Sequence, residues 1–129
     1  MNKTNEEAET GSRTLDALIH EYYEAYESKD KAVLDGLLAL DFVFTSPNDD
    51  DHINAEKYFE KCWPESAKIE KFNLDIIMEN GDEAFVRYRC LTTSGRTCRN
   101  AEYFKFENGK IKEIEVFFGI GQGFASNES

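Results

Sequence analysis

The stretch that decides how this chain folds is residues 84–118, AFVRYRCLTTSGRTCRNAEYFKFENGKIKEIEVFF. Apolar and polar residues alternate along it, and turn signals at Ser94-Gly95 and Asn108-Gly109 interrupt the alternation. Successive side chains of a β-strand point to opposite faces of its sheet. The pattern therefore predicts three antiparallel strands joined by two turns.

One face of this predicted sheet combines apolar side chains with two polar ones. Asn100 and Glu102 share it with Val86, Tyr88, Cys90, Phe104 and Phe106. Burying an unpaired polar group costs roughly 2–7 kcal/mol, so the amide and the carboxyl group need internal partners or a ligand. We predict a pocket here with Tyr88, Asn100 and Glu102 on its wall. The alternative is a structural network in which Glu102 pairs with an arginine or with Tyr88.

The length of the first turn decides which inner residues stand opposite one another. A three-residue connection at 94–96 would place Tyr88 opposite Glu102 and Cys90 opposite Asn100, with all four inside. A two-residue turn would rotate one strand and send its inner residues outward. We therefore expect the three-residue connection.

The second turn leaves the position of Glu115 open between two registers. A tight turn at residues 108–109 would set Glu115 across from Glu102, on the wall of the predicted pocket. A three-residue turn would instead point Ile114 and Val116 inward. The sequence does not choose between them.

The chain before residue 84 shows helical periodicity, N-cap residues and shorter β-rich runs. The apolar face of the first helix includes Tyr22 and Tyr26, and Thr14 is its N-cap. These signals predict helices beginning at Leu15 and after the caps Asp30 and Asn54, and strands at residues 41–45, 68–78, 84–93, 97–107 and 110–118. Three helices on one face of a curved antiparallel sheet define an α+β fold.

The composition limits the classes of partner. Fifteen Lys and Arg residues against 26 Asp and Glu give a net charge of −11, which repels a phosphate backbone. No apolar run approaches the roughly 20 residues of a membrane span, and residues 1–14 lack the apolar region of a signal peptide. We expect a cytoplasmic protein that binds neither nucleic acid nor membrane.

The domain boundaries and the absence of a cofactor follow from similar patterns. Residues 14–121 are predicted to form one domain, flanked by disordered polar tails at 1–13 and 122–129. The aspartates at 49–51 lack the spacing and the glycine of a calcium loop. Three cysteines without CxxC spacing favour reduced thiols. No metal or other cofactor is predicted.

The order of elements, with LIHEYYEAYESKD near the start, FTSPNDDDHINAEKYFEKCWPES in the middle and NGKIKEIEVFFG near the end, resembles the SnoaL-like branch of the nuclear transport factor 2-like superfamily. The resemblance covers about residues 14–120. It implies a cystatin-like, cone-shaped α+β barrel in which the sheet wraps around the long helix and a pocket opens at one end.

The ketosteroid isomerases of this superfamily suggest roles for individual residues. Tyr22 matches the tyrosine that donates to the substrate oxyanion, and Glu102 falls near the protonated aspartic acid of that enzyme. Ser46 stands where the isomerase has its base, and a serine hydroxyl does not hold a proton reversibly near neutral pH. The nearby substitutes are Asp49, Asp50, His52 and Glu115.

Several further residues are predicted to belong to the pocket. His52 is a candidate general base or acid, with a solvated loop histidine as the alternative. Predicted lining residues, which could equally be plain core, are Tyr26, Phe44, Phe59 and Trp63.

The leading functional hypothesis is an apolar pocket that binds a small hydrophobic carbonyl compound. Tyr22 and Glu102 would polarise the carbonyl, and His52 or an acidic neighbour would move a proton in isomerase, cyclase or dehydratase chemistry. The alternative is a non-catalytic ligand-binding or assembly module that forms a homodimer through the outer face of the sheet. The sequence leaves open whether the protein is an enzyme.

Overall fold

The computed structural model describes residues 14–118. The predicted tails, residues 1–13 and 122–129, lie outside the described residues. The helices are α1 (Leu15–Ser28), α2 (Lys31–Leu37), α3 (Ala55–Cys62) and a short 3₁₀-helix (Trp63–Lys68). The strands are β1 (Leu38–Ser46), β2 (Asp50–Asn54), β3 (Ile69–Asn80), β4 (Glu83–Thr92), β5 (Thr97–Glu107) and β6 (Lys110–Phe117).

The three predicted N-caps are confirmed. The side chains of Thr14, Asp30 and Asn54 each accept a hydrogen bond from the backbone N–H three residues further on. Such a bond satisfies one of the N–H groups that the first turn of a helix leaves free. No helix in the described part of the chain is long and apolar enough to span a lipid bilayer.

The six strands form one open sheet in the order β2-β1-β6-β5-β4-β3. Neighbouring strands are antiparallel except β1 and β6, which are parallel. The prediction of a barrel was wrong in that the sheet does not close on itself, so β2 and β3 are free edges. The predicted α+β class and the curved sheet are confirmed.

Two predicted loops are strands in the structure. Residues 50–54, predicted as an acidic loop and a cap, form β2, which runs back along β1 after a turn with Asp49 at a φ of 67°. The strand predicted at 41–45 begins earlier, at Leu38. Its first residue pairs with Ile111 of β6. These contacts between distant residues override a weak local β signal.

A bulge in β3 breaks the predicted alternation of its side chains. The pairing with β4 shifts between Leu74 and Ile76. Phe72 is therefore buried, whereas the predicted inward positions of Ile76 and Met78 are wrong, because both side chains are exposed on the other face. An extra residue in one strand moves every later side chain to the opposite face.

The hairpin of β4 and β5 has a three-residue connection, as predicted, but it lies at residues 93–95. The backbone N–H of Thr92 donates to the carbonyl oxygen of Arg96 at 2.8 Å and closes it. Tyr88 therefore stands opposite Asn100, and Glu102 stands opposite Val86. A shift of two positions preserves the faces, so Tyr88, Asn100 and Glu102 are all buried, as predicted.

The structure settles the position of Glu115. The turn at residues 108–109 is tight, with positive φ at both positions, but a bulge between Lys105 and Phe106 adds one residue to the register. Glu102 consequently faces Val116, and Glu115 pairs with Tyr103 on the outer face. The inward placement of Glu115, and with it a place on the pocket wall, is wrong for this reason.

Helix α1 contacts the inner face of the sheet through consecutive tyrosines. The ring of Tyr22 lies edge-on to Phe104, with centroids 5.3 Å apart. The ring of Tyr23 lies 4.9 Å from that of Phe72 and 5.2 Å from that of Tyr88. Aromatic side chains therefore fill most of the space between helix and sheet.

Two glycine substitutions test the backbone geometry. Gly95 has a φ of +91°, whereas Gly36 lies in α2 with no atom within 4 Å of an added Cβ. We expect Gly95→Ala to lower the free energy of unfolding by about 1–2 kcal/mol. Gly36→Ala should raise it by about 0.5–1 kcal/mol in the same urea denaturation experiment. A change of the same sign in both variants would contradict this description.

Candidate functional site

Three buried phenols meet at one end of the interior and form what we call the tyrosine cluster: Tyr22, Tyr26 and Tyr58. The hydroxyl of Tyr58 is 2.9 Å from that of Tyr22 and also hydrogen-bonds to that of Tyr26. Tyr22 and Tyr26 are four residues apart and thus share one face of α1, while Tyr58 comes from α3. The cluster joins the two helices.

The tyrosine cluster contains one more donor than it uses. Its two hydrogen bonds consume two of the three hydroxyl protons, whichever way each bond is oriented. The remaining O–H must donate to an acceptor outside the cluster. Burial raises the pKa of Tyr22, Tyr26 and Tyr58 well above the ordinary value, so all three remain donors at physiological pH.

A second group of polar side chains lies deeper, and we call it the acid cluster: Tyr23, Tyr88, Asn100 and Glu102. The Tyr23 hydroxyl donates to Oε1 of Glu102, and Asn100 Nδ2 donates to the Tyr88 hydroxyl at 3.0 Å. The Oε2 atom of Glu102 and the Oδ1 atom of Asn100 are buried without a hydrogen-bond partner among the residues described. Glu102 is thus paired with a tyrosine, and Asn100 with Tyr88.

The environment of Glu102 favours its neutral form. The side chain is 1% exposed, and burial raises its pKa from 4.5 to about 7, an effect that the Tyr23 hydrogen bond partly offsets. A carboxyl group in this condition exchanges its proton close to physiological pH. Such shifts are common in functional sites, although structural networks produce them too.

Two adjacent cavities lie at the tyrosine end of the interior. The inner cavity, about 10 Å³, is bordered by the tyrosine cluster together with Phe44, Cys62, Glu65 and Ile69. The outer cavity, about 130 Å³, is lined by Phe44, Ser46, Asn48, Asp50, Lys61, Cys62, Glu65 and Phe118. The inner cavity has room for about one water-sized group, and the outer one for a small molecule.

A buried ion pair borders the outer cavity. Asp50 is 5% exposed; the Lys61 ammonium donates to its Oδ1, and the Ser46 hydroxyl donates to its Oδ2 at 2.8 Å. Ser46 is the residue aligned with the isomerase base, so Asp50 brings a carboxylate to the same place. Asp50 was one of four acid–base substitutes named from the sequence, and it is the one that borders this cavity.

His52 lies on the surface, apart from the tyrosine cluster. Its ring is 60% exposed, with Nδ1 at 2.6 Å from Asp51 Oδ1 and Nε2 at 3.6 Å from Glu113. The hydrogen bond to Asp51 raises the pKa of this histidine. The predicted meeting of His52 with Tyr22 and Glu102 does not occur, because His52 projects from the edge strand β2. The solvated histidine is the reading that this position fits.

The predicted aromatic lining residues divide into two groups. Tyr26 and Phe44 border the inner cavity. Trp63 instead packs against Tyr26, with ring centroids 5.1 Å apart. Phe59 lies in an open groove between α2 and α3, with the Lys31 ammonium 5.1 Å above its ring. Neither Trp63 nor Phe59 borders either cavity.

Sequence reasoning missed three residues on the cavity walls. Tyr58 was recognised from its position in the third helix, but only as a packing residue. Lys61 and Glu65 gave no signal beyond charge. Cys62 borders both cavities, and burial raises the pKa of its thiol to about 12, which keeps it protonated and unreactive. Within residues 14–118, no group of three His, Cys, Asp or Glu side chains could hold a metal ion.

The sequence model of the SnoaL-like domain family matches residues 19–114. This chain therefore belongs to the SnoaL-like family, as the resemblance of its sequence motifs indicated. No curated protein matches the sequence.

Solved structures share the fold at low sequence identity. An NTF2-like protein of unknown function from Cytophaga hutchinsonii is 20% identical with a TM-score of 0.67, over 82% of this chain and 90% of that one. A protein with a cystatin-like fold from Methylobium petroleophilum is 18% identical with a TM-score of 0.69, over 81% and 74%. A ketosteroid isomerase-like protein from Catenulispora acidiphila, in complex with trimethylamine, is 11% identical with a TM-score of 0.69, over 84% and 90%.

The buried Glu102 should make stability fall as the pH rises. Its pKa is 4.5 ordinarily and about 7 in the folded chain, so between these values the folded state binds more protons than the unfolded state. We expect this residue to lower the free energy of unfolding by about 3 kcal/mol from about pH 4 to pH 8. Glu102→Gln should remove that decrease, as measured by urea denaturation across this range.

The exposed Glu70 provides the control for this experiment. Glu70→Gln should keep the pH dependence of the wild type. If Glu102→Gln kept it as well, Glu102 would not be the buried titrating group.

Proposed function

We propose that this protein binds a small carbonyl compound in the outer cavity, with the carbonyl oxygen in the inner cavity against the tyrosine cluster. The observation that carries this proposal is the unused O–H of three buried phenols beside a cavity of about 10 Å³. A carbonyl oxygen offers two lone pairs to that donor and is about the size of the water that this cavity holds.

The same donors can support proton-transfer chemistry. Removing a proton next to a carbonyl group places negative charge on its oxygen, and fixed O–H donors in a water-poor site stabilise that charge. The base must lie on the cavity wall, where Asp50 and Glu65 contribute carboxylates. Isomerase, cyclase or dehydratase reactions all use this step, and membership of the SnoaL-like family fits them.

The size of the cavities limits the ligand. A cavity of about 150 Å³ accepts a molecule the size of benzene, so the outer cavity of about 130 Å³ suits about six non-hydrogen atoms. A four-ring compound does not fit unless the aromatic interior moves. We therefore propose a small ketone or aldehyde as the ligand.

A tyrosine substitution tests this proposal. Tyr58→Phe removes the hydroxyl that bonds to both Tyr22 and Tyr26, and we expect it to weaken binding of butan-2-one or cyclopentanone about tenfold. Ligand-observed NMR titration measures the change, and circular dichroism establishes that the variant folds. Tyr103→Phe on the outer face should leave binding unchanged. Equal affinity in Tyr58→Phe and wild type would contradict the proposed site.

The same ketones separate an enzyme from a binding module. In D₂O, a protein that removes the proton next to the carbonyl replaces it with deuterium, which proton NMR follows directly. Exchange that the protein accelerates, and that Tyr58→Phe slows, supports the enzyme. Binding without accelerated exchange of these ketones favours the non-catalytic module.

We also propose that two copies of the chain associate through the outer face of the sheet. Four large apolar side chains are at least 41% exposed there: Ile76, Met78, Phe85 and Phe117. Met78 pairs with Phe85 across β3 and β4, so the apolar residues continue from strand to strand. Contiguous exposed apolar surface of this kind is typical of interaction sites.

Charge favours a second copy of this acidic chain as the partner on the outer face. The chain carries a net charge of −11, yet three of its five arginines lie on this face: Arg87, Arg89 and Arg99. Arg89 forms a bidentate pair with Asp75, at 2.9 to 3.2 Å. Two acidic chains repel each other least where their positive charges are concentrated.

A charge introduced into the apolar part of this face tests the homodimer. We expect sedimentation equilibrium to show a dimer for the wild type and a monomer for Phe85→Lys, because burying an unpaired ammonium is costly. Leu40→Lys, at an exposed leucine outside this face, should remain dimeric. A monomeric wild type would refute the proposal.

A further inference from the structure

Glu65 occupies a distinctive position between the two cavities. It lies in the 3₁₀-helix that follows α3, and its side chain borders both the inner and the outer cavity. Its Oε1 atom is buried and receives no hydrogen bond from any residue described. The Lys68 ammonium is 3.6 Å from this oxygen, which is an ion-pair distance and longer than a hydrogen bond.

The other carboxylate on the cavity wall differs in this respect. Both oxygens of Asp50 accept a hydrogen bond, one from Lys61 and one from Ser46. Glu65 therefore provides the free acceptor at the boundary between the cavities. A buried carboxylate oxygen without a donor is unfavourable, so an occupant of the cavity that carries an O–H or N–H group gains from contacting it.

The charges around the outer cavity limit what this occupant can be. Asp50 and Glu65 contribute two negative charges and Lys61 one positive charge. The Lys61 charge is already paired with Asp50. A ligand carboxylate would meet uncompensated negative charge, whereas a neutral hydroxyl group meets only an acceptor.

We infer that Glu65 accepts a hydrogen bond from a hydroxyl group of the ligand, and that the ligand class is small, neutral hydroxycarbonyl compounds. The inference rests on the proposed function, because the tyrosine cluster holds the carbonyl oxygen while Glu65 holds the hydroxyl group. Glu65 thus determines which small carbonyl compounds bind. In this geometry it is also next to the ligand atoms that carry exchangeable protons.

Two matched pairs of ketones test this inference. Hydroxyacetone and butan-2-one have the same number of non-hydrogen atoms and differ by a hydroxyl in place of a methyl group. The second pair, 4-hydroxybutan-2-one and pentan-2-one, places the hydroxyl one carbon further away. Dissociation constants from ligand-observed NMR should favour the hydroxyketone about tenfold in at least one pair, since hydrogen bonds to charged groups are strong.

The variant Glu65→Gln should reduce this preference to nearly equal affinities, while leaving the affinity for the plain ketone close to that of the wild type. The control Glu60→Gln removes the same charge from a side chain that is 67% exposed on α3, and it should retain the preference. A circular dichroism spectrum and a melting temperature for each variant separate binding from folding.

The outcomes distinguish this inference from the proposed function. If hydroxyketones and plain ketones bind equally well, and Tyr58→Phe weakens both, the role of Glu65 is refuted and the carbonyl site stands. If the preference survives in Glu65→Gln, another acceptor selects the hydroxyl group and the inference is also refuted. If Tyr58→Phe affects neither ligand class, the carbonyl site itself is refuted.

Discussion

The hydrogen bond from Tyr23 to Glu102 joins the first helix to the middle of the sheet, and the interior is arranged around it. Adjacent residues of a helix are about 100° apart around its axis. With Tyr23 directed toward Glu102, its neighbour Tyr22 reaches the hydroxyl of Tyr58 on α3. Two consecutive tyrosines thus serve two polar clusters, and fixing one of them fixes the other.

The aromatic filling has a direct effect on the chemistry available to the protein. Edge-on rings occupy most of the space between α1 and the sheet, which excludes water and raises the pKa values of the buried phenols and of Glu102. The polar groups that remain available to a ligand lie at one end, where Asp50, Lys61 and Glu65 border the outer cavity. The interior therefore separates a deep group that titrates near neutral pH from a shallow cavity that holds the ligand.

The sequence predicted the inner face of β4 and β5 well, because alternation with period two depends only on local geometry. Asn100 and Glu102 are buried where the pattern placed them. The bulges in β3 and β5 were not predictable, since each depends on how a strand meets its neighbour. They reversed the predicted sides of Ile76 and Met78 and decided the side of Glu115.

The site was harder to predict than the fold. Which of two adjacent tyrosines meets Glu102 depends on the rotation of α1 against the sheet, which periodicity does not specify to within one residue. His52 was misplaced because the Asp-Asp-His run lacks β-forming residues and His52 adopts a positive φ of 55°, so β2 gave no local signal. Glu65 was passed over because it follows a proline in what reads as a loop break.

The edge strand β2 has a further consequence for the behaviour of the chain in concentrated solution. An exposed strand edge offers unpaired N–H and C=O groups to another chain and is a common starting point for fibril growth. Here the edge is five residues long, carries Asp51 on its exposed side and is distorted at His52 by the positive φ. Charge, short length and distortion are the means by which sheets resist edge-to-edge aggregation. The acidic run at residues 49–51 thus has a protective role that requires neither metal nor substrate.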